Sequence, residues 1–174
     1  MMNKRLFMVG GVAAAAGLAG VGIGWWRIQP HAVQGDALDS FWQSTWEDPM
    51  GQPMAMSDFK GRPLLVNFWA TWCPICVRGL PALNAFYQEH QARGWTVLGM
   101  AIDRPSAVRD FLQRQPIDFP IAIGGVGGTD LSRQLGNPTG GVPYNVVLNA
   151  QGQITHSKLG EKTASDLALW SQSV

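Results

Sequence analysis

The sequence feature that most constrains the fold is a pair of cysteines placed directly after a long apolar run. Cys73 and Cys76 are the only two cysteines of the chain, and residues 64–70 before them are nearly all apolar. Such a run is typical of a strand that is buried on both faces of a sheet. Pro74 favours the first position of a helix, where a missing N–H costs nothing. The segment therefore predicts a buried strand, a turn and a helix that begins at the cysteines.

This placement indicates thiol–disulfide redox chemistry. Cys73 is predicted at the N-terminus of the helix, where free N–H groups and the helix dipole stabilise a thiolate. A thiolate attacks a partner disulfide, and a second sulfur one turn away resolves the mixed disulfide. Because only Cys73 meets the helix terminus and solvent, we expect a low pKa for its thiol and a high pKa for the thiol of Cys76.

Other uses of the cysteine pair fit the sequence less well. A structural disulfide across so short a loop removes little chain entropy. A metal site of the usual kind needs two further ligands, but His31, His90 and His156 show no ligand spacing. We interpret these histidines as surface residues. A module that holds Cu(I) through the two thiolates stays an alternative to a redox enzyme.

Residues 65–76 (LVNFWATWCPIC), followed by Pro81 and by Gly141-Val142-Pro143, resemble the thioredoxin superfamily. Within it the chain is most similar to membrane-anchored TlpA/ResA-like reductases and the related DsbE/CcmG group. The likeness covers about residues 41–170. It implies an α/β thioredoxin fold with three layers, α/β/α, around a mixed central sheet, and an N-terminal β-hairpin extension.

The resemblance also implies roles for residues outside the pair. Pro143 is expected to be cis and to lie beside the two sulfurs, and the Val142 backbone to hydrogen-bond a bound substrate strand. Trp72, beside the nucleophile, is a candidate substrate contact, with a packing role as the alternative. Pro81 is expected to kink the first long helix. We expect no separate cofactor or metal, because the Cys73–Cys76 disulfide is itself the redox centre.

Two positions depart from the family pattern. Asn67 stands where thioredoxin has a buried aspartate, and an amide cannot titrate. Gly79 stands where many ResA-like proteins have a glutamate. The sequence therefore identifies no general base for Cys76.

The N-terminus predicts a membrane anchor. After Lys4 and Arg5, the 21 residues 6–26 carry no charge, which is long enough for a helix that crosses the hydrocarbon core. A cleaved signal peptide is the rival interpretation, but residues 25–27 (WWR) resemble an interfacial anchor. We therefore expect residues 1–27 to form a single-pass anchor in the inner membrane, with the globular part in the periplasm or another exterior compartment.

Residues 28–40 lack periodicity and predict a linker, which leaves residues 41–174 as one thioredoxin-like domain. Outside residues 1–27 the chain has 10 basic and 12 acidic residues. This balance gives no basic stripe, so we expect no nucleic-acid partner.

The remaining pattern predicts the elements of this domain. We expect a hairpin of residues 41–46 and 53–55, helices at 74–91 and 105–115, strands at 95–102, 144–148 and 154–158, and a last helix. Thr163 and Asp166 predict a capping box for that helix. The glycine-rich residues 124–128 lack a complete nucleotide-binding motif. We expect them to form a flexible loop before a short helix at 130–135.

The predicted function is thiol–disulfide exchange with exported protein partners through Cys73 and Cys76. By resemblance the protein acts as a reductant. The resemblance also implies that a membrane thiol-electron carrier supplies its electrons, with cytochrome c or copper-site maturation as candidate uses. A periplasmic disulfide oxidase stays an alternative, because Pro74 and Ile75 do not fix the reduction potential.

Overall fold

A mixed β-sheet lies at the centre of the protein in a computed structural model, which describes residues 35–172. The strands are β1 (Thr45–Glu47), β2 (Pro53–Ala55), β3 (Leu64–Trp69), β4 (Thr96–Ala101), β5 (Ile121–Ile123), β6 (Tyr144–Leu148) and β7 (Ile154–Leu159). Their order in the sheet is β2-β1-β5-β4-β3-β6-β7. Strands β3, β4 and β5 are parallel, and the other pairings are antiparallel.

Helices cover both faces of this sheet. They are α1 (Gly35–Gln43), α2 (Pro74–His90), α3 (Pro105–Arg114), α4 (Gly125–Gln134) and α5 (Ala164–Gln172), with short 3₁₀ helices at Met56–Phe59 and Gln91–Arg93. Residues of α2, α3 and α5 form one core with one face of the sheet. Residues of α1 and α4 form a second core with the other face. The three-layer α/β/α architecture with a mixed sheet is therefore confirmed.

Strand β3 explains why the apolar run before the cysteines is continuous. Leu65 and Trp69 belong to the core beneath α2, whereas Leu64, Val66 and Phe68 belong to the opposite core. Successive side chains of a strand point to opposite faces, so a strand covered on both faces needs apolar residues at nearly every position.

Several predicted elements are confirmed with small changes at their ends. Strands β1 and β2 form the N-terminal hairpin, and β6 and β7 pair in antiparallel orientation. Helix α2 begins at Pro74 as predicted and continues through Pro81 to His90. The kink expected at Pro81 stays a prediction. The strand β5 was not predicted.

The first part of the predicted hairpin is wrong, because Phe41 lies in helix α1 and β1 begins only at Thr45. The same helix includes the last residues of the predicted linker. Phe41 and Trp42 are buried in the core of that face, and Trp42 Nε1 donates to the carbonyl of Gly152 at 3.3 Å. Packing against the sheet stabilises a helix too short to show a clear apolar periodicity.

The flexible loop predicted at residues 124–128 is also wrong, because Gly125–Gln134 forms helix α4. Glycine is a poor helix former, but here its small size lets the helix approach the sheet. A Cβ on Gly128 would lie 2.7 Å from Ile102 Cδ1, and one on Gly127 would lie 3.3 Å from the ring of Trp46. Close packing therefore outweighs the unfavourable helix propensity.

His90 is not the surface residue that we expected. It is buried near the end of α2, with its ring stacked on that of Phe86 at a centroid distance of 4.3 Å. His90 Nδ1 lies 3.0 Å from the Phe86 carbonyl oxygen. Residues four apart share one helix face, so this histidine faces the core together with the apolar residues of α2.

Within residues 35–172, no helix is long and apolar enough to cross a membrane. The predicted anchor at residues 6–26 lies outside the part of the chain that the structure describes.

Candidate active site

The two cysteines lie in the turn between β3 and α2, as predicted. Cys73 is the N-cap residue of α2, with extended backbone angles (φ −97°, ψ 103°). The backbone N–H of Cys76 donates to Cys73 Sγ at 3.2 Å. Pro74 occupies the first helical turn. The sulfur of Cys73 thus receives both a hydrogen bond and the positive end of the helix dipole, and both favour a thiolate in the reduced protein.

Cys73 and Cys76 are joined by a disulfide bond, with their Cα atoms 5.2 Å apart. Cys73 is 6% exposed and Cys76 is 2% exposed, and both contact the core beneath α2. The structure therefore represents the oxidised protein, in which neither thiol titrates.

The Val142–Pro143 peptide bond lies beside this disulfide. It is cis, as the resemblance implies, and the Val142 carbonyl oxygen lies 3.8 Å from Cys73 Sγ. Strand β6 begins directly afterwards at Tyr144 and pairs with β3. Cys73 follows β3 and Val142 precedes β6. Because these two strands are neighbours, the two residues lie close together although they are far apart in the sequence.

Apolar side chains on the surface flank the cysteines. Trp72 is 65% exposed and Ile75 is 42% exposed. Large exposed apolar groups at a functional site are typical of contacts with a partner. The exposure of Trp72 favours a partner contact over the alternative packing role, and its contact with substrate stays a prediction.

Asp103 holds the turn that leads to the cysteines. The Thr71 backbone N–H and Thr71 Oγ1 donate to Asp103 Oδ2 at 3.0 and 2.6 Å. The Arg104 backbone N–H donates to Asp103 Oδ1 at 2.8 Å. Sequence analysis missed this residue. The available signal was its position just after β4, because parallel neighbours β3 and β4 end at the same edge of the sheet.

Asn67 lies inside the sheet on the face that α2 covers. Its Nδ2 donates to Asn145 Oδ1 at 2.9 Å, directly across the β3–β6 pairing. Both residues are buried, and Asn145 Nδ2 has no hydrogen-bond partner among residues 35–172. The position that sequence analysis compared with a titrating aspartate thus holds an amide pair, which carries no charge.

The cysteine pair at the start of α2, the cis proline that faces it and the three-layer fold are the features of thioredoxin-like thiol–disulfide oxidoreductases. A sequence profile of the Redoxin family matches residues 35–168. The chain belongs to the Redoxin family and, within the thioredoxin superfamily, to the TlpA/ResA-like proteins.

Similar proteins agree with this family. The chain is 27% identical over 128 residues to thiol-disulfide oxidoreductase ResA of Bacillus cereus, a match that covers 73% of this chain and 72% of the relative. It is 28% identical over 117 residues to sporulation thiol-disulfide oxidoreductase A of Bacillus subtilis, where the match covers 65% and 68%. A secreted thiol-disulfide isomerase from Corynebacterium glutamicum has a TM-score of 0.66 and 26% identity, over 74% of this chain and 81% of that one.

Proposed function

We propose that the protein reduces disulfide bonds of exported protein partners, with Cys73 as the nucleophile and Cys76 as the resolving thiol. The observation that carries this proposal is the position of Cys73 Sγ, which receives the Cys76 N–H at the start of α2 and faces the Val142 carbonyl. The first contact favours a thiolate. The second leaves a backbone acceptor beside the sulfur, where a partner strand can hydrogen-bond.

The exchange proceeds in two balanced steps. In the reduced protein the Cys73 thiolate attacks one sulfur of the partner disulfide, forms a mixed disulfide and releases the second partner sulfur as a thiolate. Cys76 then loses its proton and attacks Cys73 Sγ, which forms the Cys73–Cys76 bond and releases the other partner sulfur. Two electrons pass from the cysteine pair to the partner.

A partner docks against the surface around the pair. Trp72 and Ile75 offer exposed apolar contacts, and the Val142 backbone offers the polar contact. An extended peptide that adds to this edge gains main-chain hydrogen bonds, as in other strand-addition complexes.

The proposed setting is outside the cytoplasm, with residues 6–26 as a membrane anchor. The charge-free length of this segment supports an anchor, and the related Corynebacterium glutamicum protein is described as secreted. Electrons for re-reduction of the Cys73–Cys76 disulfide would come from a membrane thiol-electron carrier, and cytochrome c or copper-site maturation are candidate uses of the reducing power.

The proposal is tested with the full chain and insulin as a model protein disulfide, with dithiothreitol as reductant. Cys73→Ser should abolish turnover, because it removes the sulfur at the start of α2, and the remaining thiol of Cys76 is only 2% exposed. Cys76→Ser, reduced beforehand and freed of dithiothreitol before insulin is added, should keep the attack and accumulate a mixed disulfide, visible as a higher-mass band that dithiothreitol removes.

The double variant Cys73→Ser/Cys76→Ser is the thiol-free control and should form no such band. Full turnover by Cys73→Ser would show that another group performs the attack.

A further inference from the structure

Lys162 is a buried lysine in the segment between β7 and α5. Its residue is only 9% exposed. Water normally solvates an ammonium group, and burial without a partner is costly. Within residues 35–172, the electrostatic partner found for it is the carboxylate of the adjacent Glu161. The burial of Lys162 indicates a role other than that of an exposed lysine, which keeps a protein surface soluble.

The amine of Lys162 occupies the space beside Gly79. Lys162 Nζ lies 3.1 Å from the point where a Cβ on Gly79 would stand. Gly79 follows Cys76 by three residues in α2, and residues three apart lie on the same helix face, with Cβ positions about 5–6 Å apart. Side chains of a helix also point toward its N-terminus. The Lys162 amine therefore lies beside the face of α2 that carries Cys76, at most about 9 Å from the Cys76 Cβ, a distance that the cysteine side chain and a bridging water can span.

The pKa of the Lys162 amine is close to that of an ordinary thiol. Burial lowers the pKa of Lys162 to about 8, and the charge of Glu161 opposes part of this shift. An ordinary cysteine thiol has a pKa of about 8.5. Proton transfer between groups of similar pKa needs little driving force.

The other charged groups near Lys162 have little influence on its protonation. Lys158 of β7 is paired with Asp166 of α5, so these two charges largely cancel. Arg78 of α2 is exposed, where water screens its charge.

We propose that Lys162 accepts the proton of the Cys76 thiol when Cys76 attacks the mixed disulfide. The amine becomes an ammonium, the thiol becomes a thiolate, and that thiolate displaces the partner sulfur from Cys73. The ammonium then gives its proton to solvent or to the released partner thiolate, which balances the step. This inference rests on the proposed exchange through Cys73 and Cys76, and it supplies the proton acceptor that neither Asn67 nor Gly79 provides.

The test separates the two thiols in time. The full chain, fully reduced, is mixed with excess 5,5′-dithiobis(2-nitrobenzoate) in a stopped-flow instrument. A first release of chromophore reports attack by Cys73, and a second release reports resolution by Cys76. Lys162→Met keeps an unbranched side chain that reaches the Cε position and removes the amine. We expect it to leave the first phase unchanged and to slow the second at pH 7 at least ~10-fold. General-base catalysis is worth at least ~100-fold, and about a tenth of an amine with a pKa of about 8 is neutral at pH 7.

The pH profile and the conservative variant distinguish proton transfer from a role in packing or charge. The defect of Lys162→Met should shrink as the pH rises, because hydroxide then removes the proton of the Cys76 thiol without help from the amine. Lys162→Arg keeps the positive charge but cannot accept a proton, so it should be slow as well. The matched control is Lys60→Met, which removes an exposed lysine and should resolve at the original rate.

Two results would overturn the inference: a normal second phase in Lys162→Met, or a normal second phase in Lys162→Arg, which would assign Lys162 a purely electrostatic role. If Lys162→Met does not fold, Lys162→Gln is measured instead, with the same expectation. Absence of the first phase in the original protein would instead contradict the proposed exchange itself.

Discussion

Asn67 and Asn145 form a buried amide pair in the middle of the sheet. The bond between them is 2.9 Å long, and it joins directly opposite residues of β3 and β6. A buried polar group that loses its only partner costs more than a hydrogen bond gains. The two residues should therefore depend on each other for stability.

A double-mutant cycle tests this dependence. Asn67→Leu leaves the Asn145 amide without its partner and should lower the free energy of unfolding by about 1–3 kcal/mol. Asn67→Leu/Asn145→Leu removes both polar groups and should cost less than the sum of the two single changes. Urea unfolding of the oxidised protein measures all four free energies. Strictly additive values would mean that the pair does not interact.

The residues of the site differ in how far sequence could predict them. Cys73 and Cys76 are identified by spacing and by the strand before them, and the cis bond at Pro143 follows from the family resemblance. For Asp103 the only sequence signal is its position just after β4, and Lys162 has none, because the contacts of both residues reach other elements. Asp103 accepts a hydrogen bond from Thr71 in the turn between β3 and α2, and Lys162 lies beside Gly79 of α2. Only the packed fold brings such groups together.

At the level of elements, the capping box predicted for the last helix is present. The Thr163 backbone N–H donates to Asp166 Oδ2 at 2.6 Å, and the Asp166 N–H donates to Thr163 Oγ1 at 3.2 Å. Lys158 Nζ also donates to Asp166 Oδ2. The hydrogen bond from Lys158, followed by those from Thr163, lowers the pKa of Asp166 to about 2.

This shift predicts how the stability contributed by Asp166 depends on pH. A carboxyl whose pKa is lower in the folded protein stabilises it fully above its unfolded pKa of about 3.9, and loses that effect as the pH falls through the folded value. Asp166→Asn should therefore lower Tm at pH 7, and the difference from the original protein should shrink between about pH 4 and pH 2. Thermal unfolding across this range measures it.

Asp130→Asn is the matched control, because it removes the carboxylate of an exposed i,i+3 pair with Arg133 that should contribute little. A Tm difference for Asp166→Asn that stayed constant down to pH 2 would contradict the assigned pKa.

Elements with strong local signals were predictable, and those that depend on packing were not. Pro74 and the apolar residues of α2 marked that helix in the sequence. Helix α1 and helix α4 depend on their contacts with the sheet, through Phe41 in the first and through Gly128 in the second. A short helix or a glycine-rich helix has little local preference of its own.

At the scale of the whole molecule, the direction of electron flow is a property of the two redox states and not of one residue. If the protein is a reductant, the disulfide form must be comparatively stable. We expect a reduction potential near the value of thioredoxin, about −270 mV, and far from about −120 mV, the value of a strong oxidant. Equilibration of the full chain with glutathione and then with dithiothreitol measures it.

The stabilities of the oxidised and reduced forms provide an independent check on the reduction potential. The gap between these two values is about 150 mV, or about 7 kcal/mol for two electrons. A difference of this size is visible when the free energies of unfolding of the oxidised and reduced protein are compared. A potential close to about −120 mV, with a reduced form more stable than the oxidised form, would identify an oxidase.

The carboxylate of Asp103 has a consequence for protein engineering. The five residues Trp72 to Cys76 form a compact segment that is easily moved between related scaffolds. Their backbone, however, is fixed from outside through Thr71 and a residue at the end of another strand. If these five residues were transplanted alone, the two sulfurs would be present but the hydrogen bonds from Thr71 to Asp103 would be missing. The smallest portable unit is therefore discontinuous, and includes the anchor at the end of β4 together with the motif.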